Sequence, residues 1–255
     1  VYAPTFTGPV DCVGLAMPPL VLPNRACARE ALLQATGLGG GGFVAISVFD
    51  GFSYAARKNP DGAIRAFQAA FPDRADAAMV LKVHNRPQPG AAGKQGEIWS
   101  RIAVAAEADP RIKILDETVA HADVLRLVAG ADLLVSLHRS EGFGLGVAVA
   151  MQVGTPVVVT AYGGTEDFCS DATAFRVPCA LVPVAGDEYV HAEPGRVWAE
   201  PEIVAAARAI RTASEDRGLA LGKAAAAARR LGEAHSYRAV APAYVAALER
   251  LLAKP

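Results

Sequence analysis

Residues 136–168 read SLHRSEGFGLGVAVAMQVGTPVVVTAYGGTEDF, and the order of chemistry along this stretch decides the fold. The apolar run 132–137 predicts a strand that ends in a charged turn carrying His138, Arg139 and Glu141. Gly142, Gly144 and Gly146 follow, then an apolar helical segment that includes Val149, then a second strand over 155–160. That strand ends in the paired Gly163 and Gly164, with Thr165, Glu166 and Asp167 behind them. Strand, glycine turn, helix and strand in succession form the repeating unit of a parallel sheet. Ligands of such sheets gather outside the carboxyl ends of the strands, where helix N-termini offer N–H groups to phosphate. Two successive strand ends bearing glycine and carboxylate therefore predict a pocket for a polyhydroxylated, anionic ligand.

The same alternation runs outward from this stretch. Strands are expected at 43–49, 77–83, 111–115 and 174–177, with helices at 97–107 and 120–129. Asn59 reads as an N-cap with Pro60 at the first helical position, and Ala63, Ile64, Phe67, Ala70 and Phe71 recur at helical spacing. The fold class is α/β: a doubly wound, Rossmann-like parallel sheet followed by C-terminal helices. Residues 1–42 read as an extended lead-in, rich in proline and glycine, with one short strand near 10–15. Residues 43–255 read as the ligand-binding domain. The alanine-rich segment 201–253 is helical by propensity, with a break near 216–219 and an apolar stripe of Tyr244, Val245, Leu248 and Leu251.

Composition narrows the function. A hydrophobic content of 52 % suits a sheet buried on both faces. The net charge of −1 lacks the basic excess of a nucleic-acid-binding surface, so no nucleic-acid partner is expected. Four scattered cysteines make neither a C-x-x-C pair nor a disulfide framework and point to free thiols in a reducing cytoplasm. No apolar run is long enough to span a membrane, and no signal peptide is expected. His84, His121, His191 and His235 lack metal-ligand spacing and there is no Asp-x-Asp triplet, so no metal and no other cofactor is expected. The glycine spacing is not Gly-x-Gly-x-x-Gly, which disfavours a nicotinamide dinucleotide site.

The string Glu141-Gly142-Phe143-Gly144-Leu145 resembles the donor-sugar signature of retaining GT-B glycosyltransferases of family 4, in which a second glutamate follows eight residues after the first. Here Val149 stands at that second position. The longer string from His138 to Leu145 resembles a bacterial branch of the family. The resemblance covers about residues 43–255 and implies the C-terminal, donor-binding half of a GT-B architecture. It implies a nucleoside-diphosphate sugar as donor substrate and transfer of a hexosyl unit with retention to a glycan or glycolipid hydroxyl. It further implies an acceptor-binding domain, in this chain or another, and a cytoplasmic protein at or near the inner membrane.

Through the resemblance, Glu141 would orient the sugar and stabilise positive charge at the anomeric carbon. A solvated glutamate capping the next helix is the plain alternative. Lys58, with Arg57 beside it, would neutralise the leaving diphosphate. Two cations before a helix N-terminus oppose its dipole unless an anion joins them, and a solvated basic pair is the competing account. Gly142, Phe143, Gly144 and Leu145 would bring backbone N–H groups to the phosphates, and Gly163, Gly164 and Thr165 would approach the sugar. A bare strand-to-helix turn explains the first set of glycines equally well.

Valine at position 149 cannot accept the ribose hydroxyls that the family's second glutamate holds. That loss corresponds to about 1.5–3 kcal/mol. Asp50, Ser53 and Lys82 lie at strand ends or in the adjoining loop and are further donor-site candidates, as are Asp116 and Glu117 near the base. His138 reads either as a partner of Glu141 or as a structural histidine. The segments 181–184 and 197–201 read as packing, with Trp198 in the core or at an interdomain surface. Two functions from different classes follow: the donor domain of a glycosyltransferase, or a non-catalytic nucleotide-sugar-binding or partner module with a degenerate site. A sugar-nucleotide epimerase would fit the sheet but not the Glu-Gly-Phe-Gly-Leu string.

Overall fold

The computed structural model describes residues 13–37, 42–87, 90–190 and 192–253. Six parallel strands form the central sheet in the order β3-β2-β1-β4-β5-β6: β1 (Phe43–Asp50), β2 (Ala77–His84), β3 (Ile112–Leu115), β4 (Leu133–Ser136), β5 (Val157–Thr160) and β6 (Phe175–Val177). The chain builds outward from β1 through β2 to β3, then returns to the other side of β1 to lay down β4, β5 and β6. That reversal opens a crevice between the carboxyl ends of β1 and β4, where doubly wound sheets bind ligands.

Side-chain alternation gives each face of the sheet its own core. Phe43, Ala45 and Phe49 of β1 join Met79 and Leu81 of β2 on one face, under α3 (Pro60–Ala70), α4 (Gly93–Ala108) and α7 (Ile203–Glu215). Val44 and Ile46 of β1 join Val80 and Leu134 on the other face, with α1 (Arg25–Thr36), α5 (His121–Gly130), α6 (Leu145–Gln152) and α8 (Arg217–His235). Ile64 and Phe67 anchor the first face, Leu32 and Met151 the second, all fully buried. Each such side chain contributes about 1.5–3 kcal/mol on leaving water.

Several expectations are corrected. Residues 25–36 are not extended: Asn24 caps α1 by accepting from the N–H groups of Ala26 and Cys27, and Gly37 ends it in the left-handed region at φ 66°. Arg29 and Arg217 flank the Asp132 carboxylate at 2.9 Å each, and the Val44 N–H donates to the same group, so α1 is fastened to the domain it precedes. The expected strand at 10–15 is absent over its described part, 13–15, and its residues 10–12 lie outside the described residues. Residues 38–41, at the end of the expected lead-in, also lie outside them. The segments 181–184 and 197–201, read only as packing, lie largely within an antiparallel hairpin, β7 (Cys179–Pro183) with β8 (Val197–Pro201). Trp198 of β8 is buried in the first core. The C-terminal segment breaks at Asp216 as expected and again at Ser236, which caps α9 (Tyr237–Leu252). Among the described residues no helix is long and apolar enough to cross a membrane.

Candidate functional site

The crevice between β1 and β4 is lined by Ser47, Val48 and Phe49 on one side and Leu134, Val135 and Ser136 on the other. Gly144, Gly146 and Val147 close it at the start of α6, and Lys58 and Glu141 stand over it. Its open space amounts to about 20 Å³, room for little more than one water molecule.

The loop after β1 is built to deliver cations. Asp50 accepts from the Phe52 N–H at 2.8 Å and is clamped by the Asn85 amide at 3.2 Å. A one-turn 3-10 segment, Gly51–Ser53, leads to Tyr54 at φ 62° and then to the four-residue helix α2 (Ala55–Lys58). Arg57 and Lys58 therefore occupy the last turn of a helix, where its dipole favours positive charge, and not the unfavourable start expected from the sequence. Asn59 follows at φ 52°, accepts from the Gly62 N–H at 3.1 Å to cap α3, and donates to the Leu137 carbonyl at 3.0 Å.

The anion beside these cations is Glu141. Lys58 Nζ lies 2.5 Å from Glu141 Oε2, and Arg57 Nη1 lies 3.3 Å from the same oxygen. Arg57 also donates to the carbonyls of Ser53 at 3.0 Å and Ser140 at 2.8 Å. All three side chains are largely buried, and burial lowers the pKa of Lys58 against the opposing pull of Glu141. Ser53 thus enters the arrangement through its backbone.

His138 is fully buried below this cluster. Its Nε2 lies 3.1 Å from the Tyr162 carbonyl oxygen and its Nδ1 3.0 Å from Ser136 Oγ. A carbonyl can only accept, so Nε2 carries the proton and Nδ1 accepts from the serine hydroxyl. Burial lowers the imidazole pKa and keeps the ring neutral. The histidine joins β4 to the loop after β5, and no hydrogen bond links it to Glu141.

The glycines serve a close crossing of two loops. Gly164 N–H donates to the Glu141 carbonyl at 2.9 Å. A Cβ on Gly164 would lie 1.8 Å from the Gly142 carbonyl oxygen, and one on Gly163, at φ 83°, 2.9 Å from that of Glu141. Gly144, at φ 93°, opens α6 with no side-chain cap, and a Cβ there would meet Thr165 Cγ2 at 2.4 Å. The first bond of α6 runs from the Ala148 N–H to the Gly144 carbonyl, so the first-turn N–H groups have no partner within the helix. Gly142 has open space around its Cα.

Other candidates are placed elsewhere. Lys82 is buried and donates to the carbonyls of Glu117 at 2.6 Å and Val83 at 3.0 Å. It fastens the ends of β2 and β3 and does not meet Lys58 or Glu141. Asp116 pairs with Arg86 at 2.9 Å. Phe143 turns away from the crevice to pack its ring against Phe168 and His235, 5.1 and 5.3 Å between centroids. Leu145 is exposed, and Thr165 is buried in the glycine crossing. Val149 is half-buried against the second core, so no carboxylate occupies that part of α6. Ser47 and Ser136, which line the crevice, escaped the sequence reading because single serines inside apolar strands carry no motif.

A family model described as family 4 glycosyltransferases in conflict systems matches residues 52–243. The chain belongs to this family. A glycogen synthase of Bordetella bronchiseptica is 32 % identical over 171 residues, which is 66 % of this chain and 31 % of that protein. Sucrose-phosphate synthase from Thermosynechococcus elongatus superposes with a TM-score of 0.66 at 19 % identity, over 94 % of this chain and 52 % of that one. HepE of Anabaena in complex with UDP gives 0.67 at 18 %, over 89 % and 54 %. The C-terminal domain of LpcC from Francisella tularensis gives 0.59 at 16 %, over 82 % of this chain and 93 % of that domain. The chain thus spans about a third of its curated relative, about half of the two longer structural neighbours and nearly all of an isolated C-terminal domain. Its fold is that of the C-terminal, Rossmann-like half of the GT-B architecture.

Proposed function

We propose that the chain is the donor-binding half of a glycosyltransferase, that it holds a nucleoside-diphosphate sugar in the β1/β4 crevice, and that it transfers the sugar with retention to a hydroxyl acceptor. The observation that carries this reading is the meeting of Lys58, Arg57 and Glu141 at the switch point of the sheet, beside the uncapped start of α6. Diphosphate would draw on the two cations and the first-turn N–H groups, which stabilise the charge that grows on the leaving group. Glu141, released from the cations, would then accept from sugar hydroxyls and face the electron-poor anomeric carbon. Lys58 and Arg57 would supply the positive charge that this chemistry needs. The named UDP and UDP-glucose complexes of HepE support a uridine donor. A polysaccharide or glycolipid acceptor and a complementary acceptor-binding half complete the reading.

A second reading is kept by one observation. Val149 packs half-buried against the core where the family signature has a carboxylate, which suits a module that binds a nucleotide sugar without turning it over. Calorimetric titration of the chain with UDP-, GDP- and dTDP-sugars tests both readings. Binding in the micromolar to millimolar range supports a donor site, and no binding at millimolar ligand removes it. Release of nucleotide on adding a complementary N-terminal half then separates enzyme from binding module.

A further inference from the structure

The two cations of the site ride on a helix too short to hold itself. A four-residue helix has no cooperative stability of its own and leaves most of its backbone groups unpaired. Within α2 and its cap, the Tyr54 carbonyl accepts from Arg57 and Lys58, and the Ala55 carbonyl from Asn59. The next two carbonyls, those of Ala56 and Arg57, both accept from one residue. Arg139 Nη1 donates to Ala56 at 3.0 Å, and the Arg139 N–H donates to Arg57 at 2.8 Å.

Arg139 is itself held by the hairpin. Its Nε donates to Glu200 Oε2 at 2.6 Å, its guanidinium carbon stands 5.3 Å from the Trp198 ring centre, and its carbonyl accepts from the Ala199 N–H at 2.9 Å. Three consecutive residues of β8 thus grip one arginine. The charge arrangement is selective: Glu200 neutralises Arg139, so Glu141 is left to Lys58 and Arg57.

We infer that Arg139, oriented by Glu200 and Trp198, is a positioning residue that sets Arg57 and Lys58 for the diphosphate of the donor. The inference rests on the donor-site reading above. Arg139 touches no reacting atom. It acts by fixing the carbonyl end of α2, and lysine cannot replace it, because one ammonium cannot serve the Ala56 carbonyl and Glu200 while stacking on Trp198.

The test uses the full chain with the alanine variants Arg139→Ala and Glu200→Ala and the variant Arg139→Lys. Each is titrated calorimetrically with UDP, GDP, dTDP and ADP and with the matching monophosphates. For whichever diphosphate the wild type binds, Arg139→Ala lowers affinity about tenfold or more, equivalent to about 1.4 kcal/mol. The monophosphate changes by less than about threefold, so discrimination between the two collapses. Arg139→Lys fails to restore it, and Glu200→Ala shifts it in the same direction. Unchanged discrimination in both alanine variants, or an equal loss for both ligands that tracks a fall in Tm, overturns the inference while the donor site stands. Binding of none of the four by the wild type overturns the donor site and this inference with it. Should Arg139→Ala not fold, Glu200→Ala, at the more exposed end of the pair, still decides the matter.

Discussion

Lys58 Nζ and Glu141 Oε2 meet at 2.5 Å across 83 residues of chain, and Arg57 reaches the same oxygen. One carboxylate oxygen thereby answers two cations in a crevice with room for about one water molecule. The site is arranged for an anion and holds its own.

Lys58→Ala removes the closer cation. Affinity for a nucleoside diphosphate falls about ten- to a hundredfold, the range expected for losing one charge-assisted contact. Lys58→Arg retains part of it. Isothermal titration against the wild type measures both, and unchanged affinity in Lys58→Ala would place the diphosphate elsewhere.

Glu141→Gln separates binding from chemistry. With the internal anion gone, nucleoside diphosphate binds more tightly than to the wild type, while sugar transfer in the presence of the complementary half slows by orders of magnitude. Titration and a transfer assay on the same preparation report the two effects. A variant that binds more weakly shows that Glu141 does not compete with the ligand.

Gly164→Ala places a methyl group against the Gly142 carbonyl. The overpacking costs about 1–3 kcal/mol, which lowers Tm by several degrees in a chain of this size. Gly142→Ala, with open space around its Cα, costs far less. Thermal unfolding of the pair, side by side, checks the crossing of the two loops.

His138 makes stability depend on pH. Its folded pKa is lowered from 6.5 by burial, so between the two values the unfolded chain binds more protons and stability rises with pH. Stability therefore declines as pH drops below about 6.5 and stops declining from this source below the folded pKa. Urea unfolding from pH 5 to 8 shows a shallower slope in His138→Gln than in the wild type. Equal slopes would mean that the ring is not held neutral.

The sheet was legible because its strands are continuous apolar runs between glycine, proline and charge, as the fully buried pattern of β5 shows. The meeting of Lys58 with Glu141 was legible through the family resemblance alone, because the residue types by themselves fit a capping glutamate and a solvated basic pair as well. What escaped was work done by the backbone. Lys82 carries the same charge as Lys58, and only the register of β2 with β3 turns its ammonium onto carbonyls. Arg139 looks like part of a motif string, yet its partners Glu200 and Trp198 lie about 60 residues away on a hairpin whose strands are too short and mixed to declare themselves. The helix α1 did carry signals, Asn24 before it and Gly37 after it, but its apolar residues are mostly alanine and it sits between a proline-rich and a glycine-rich segment, which masked them.

The crossing of Gly142 over Gly164 makes the loops after β4 and β5 one mechanical piece. A side chain at Gly163 or Gly164 fits only if the backbone of 141–142 gives way, so substitutions there call for compensating changes in 141–144. A library confined to 163–164 will return mostly destabilised clones, whereas one confined to Gly142 will not.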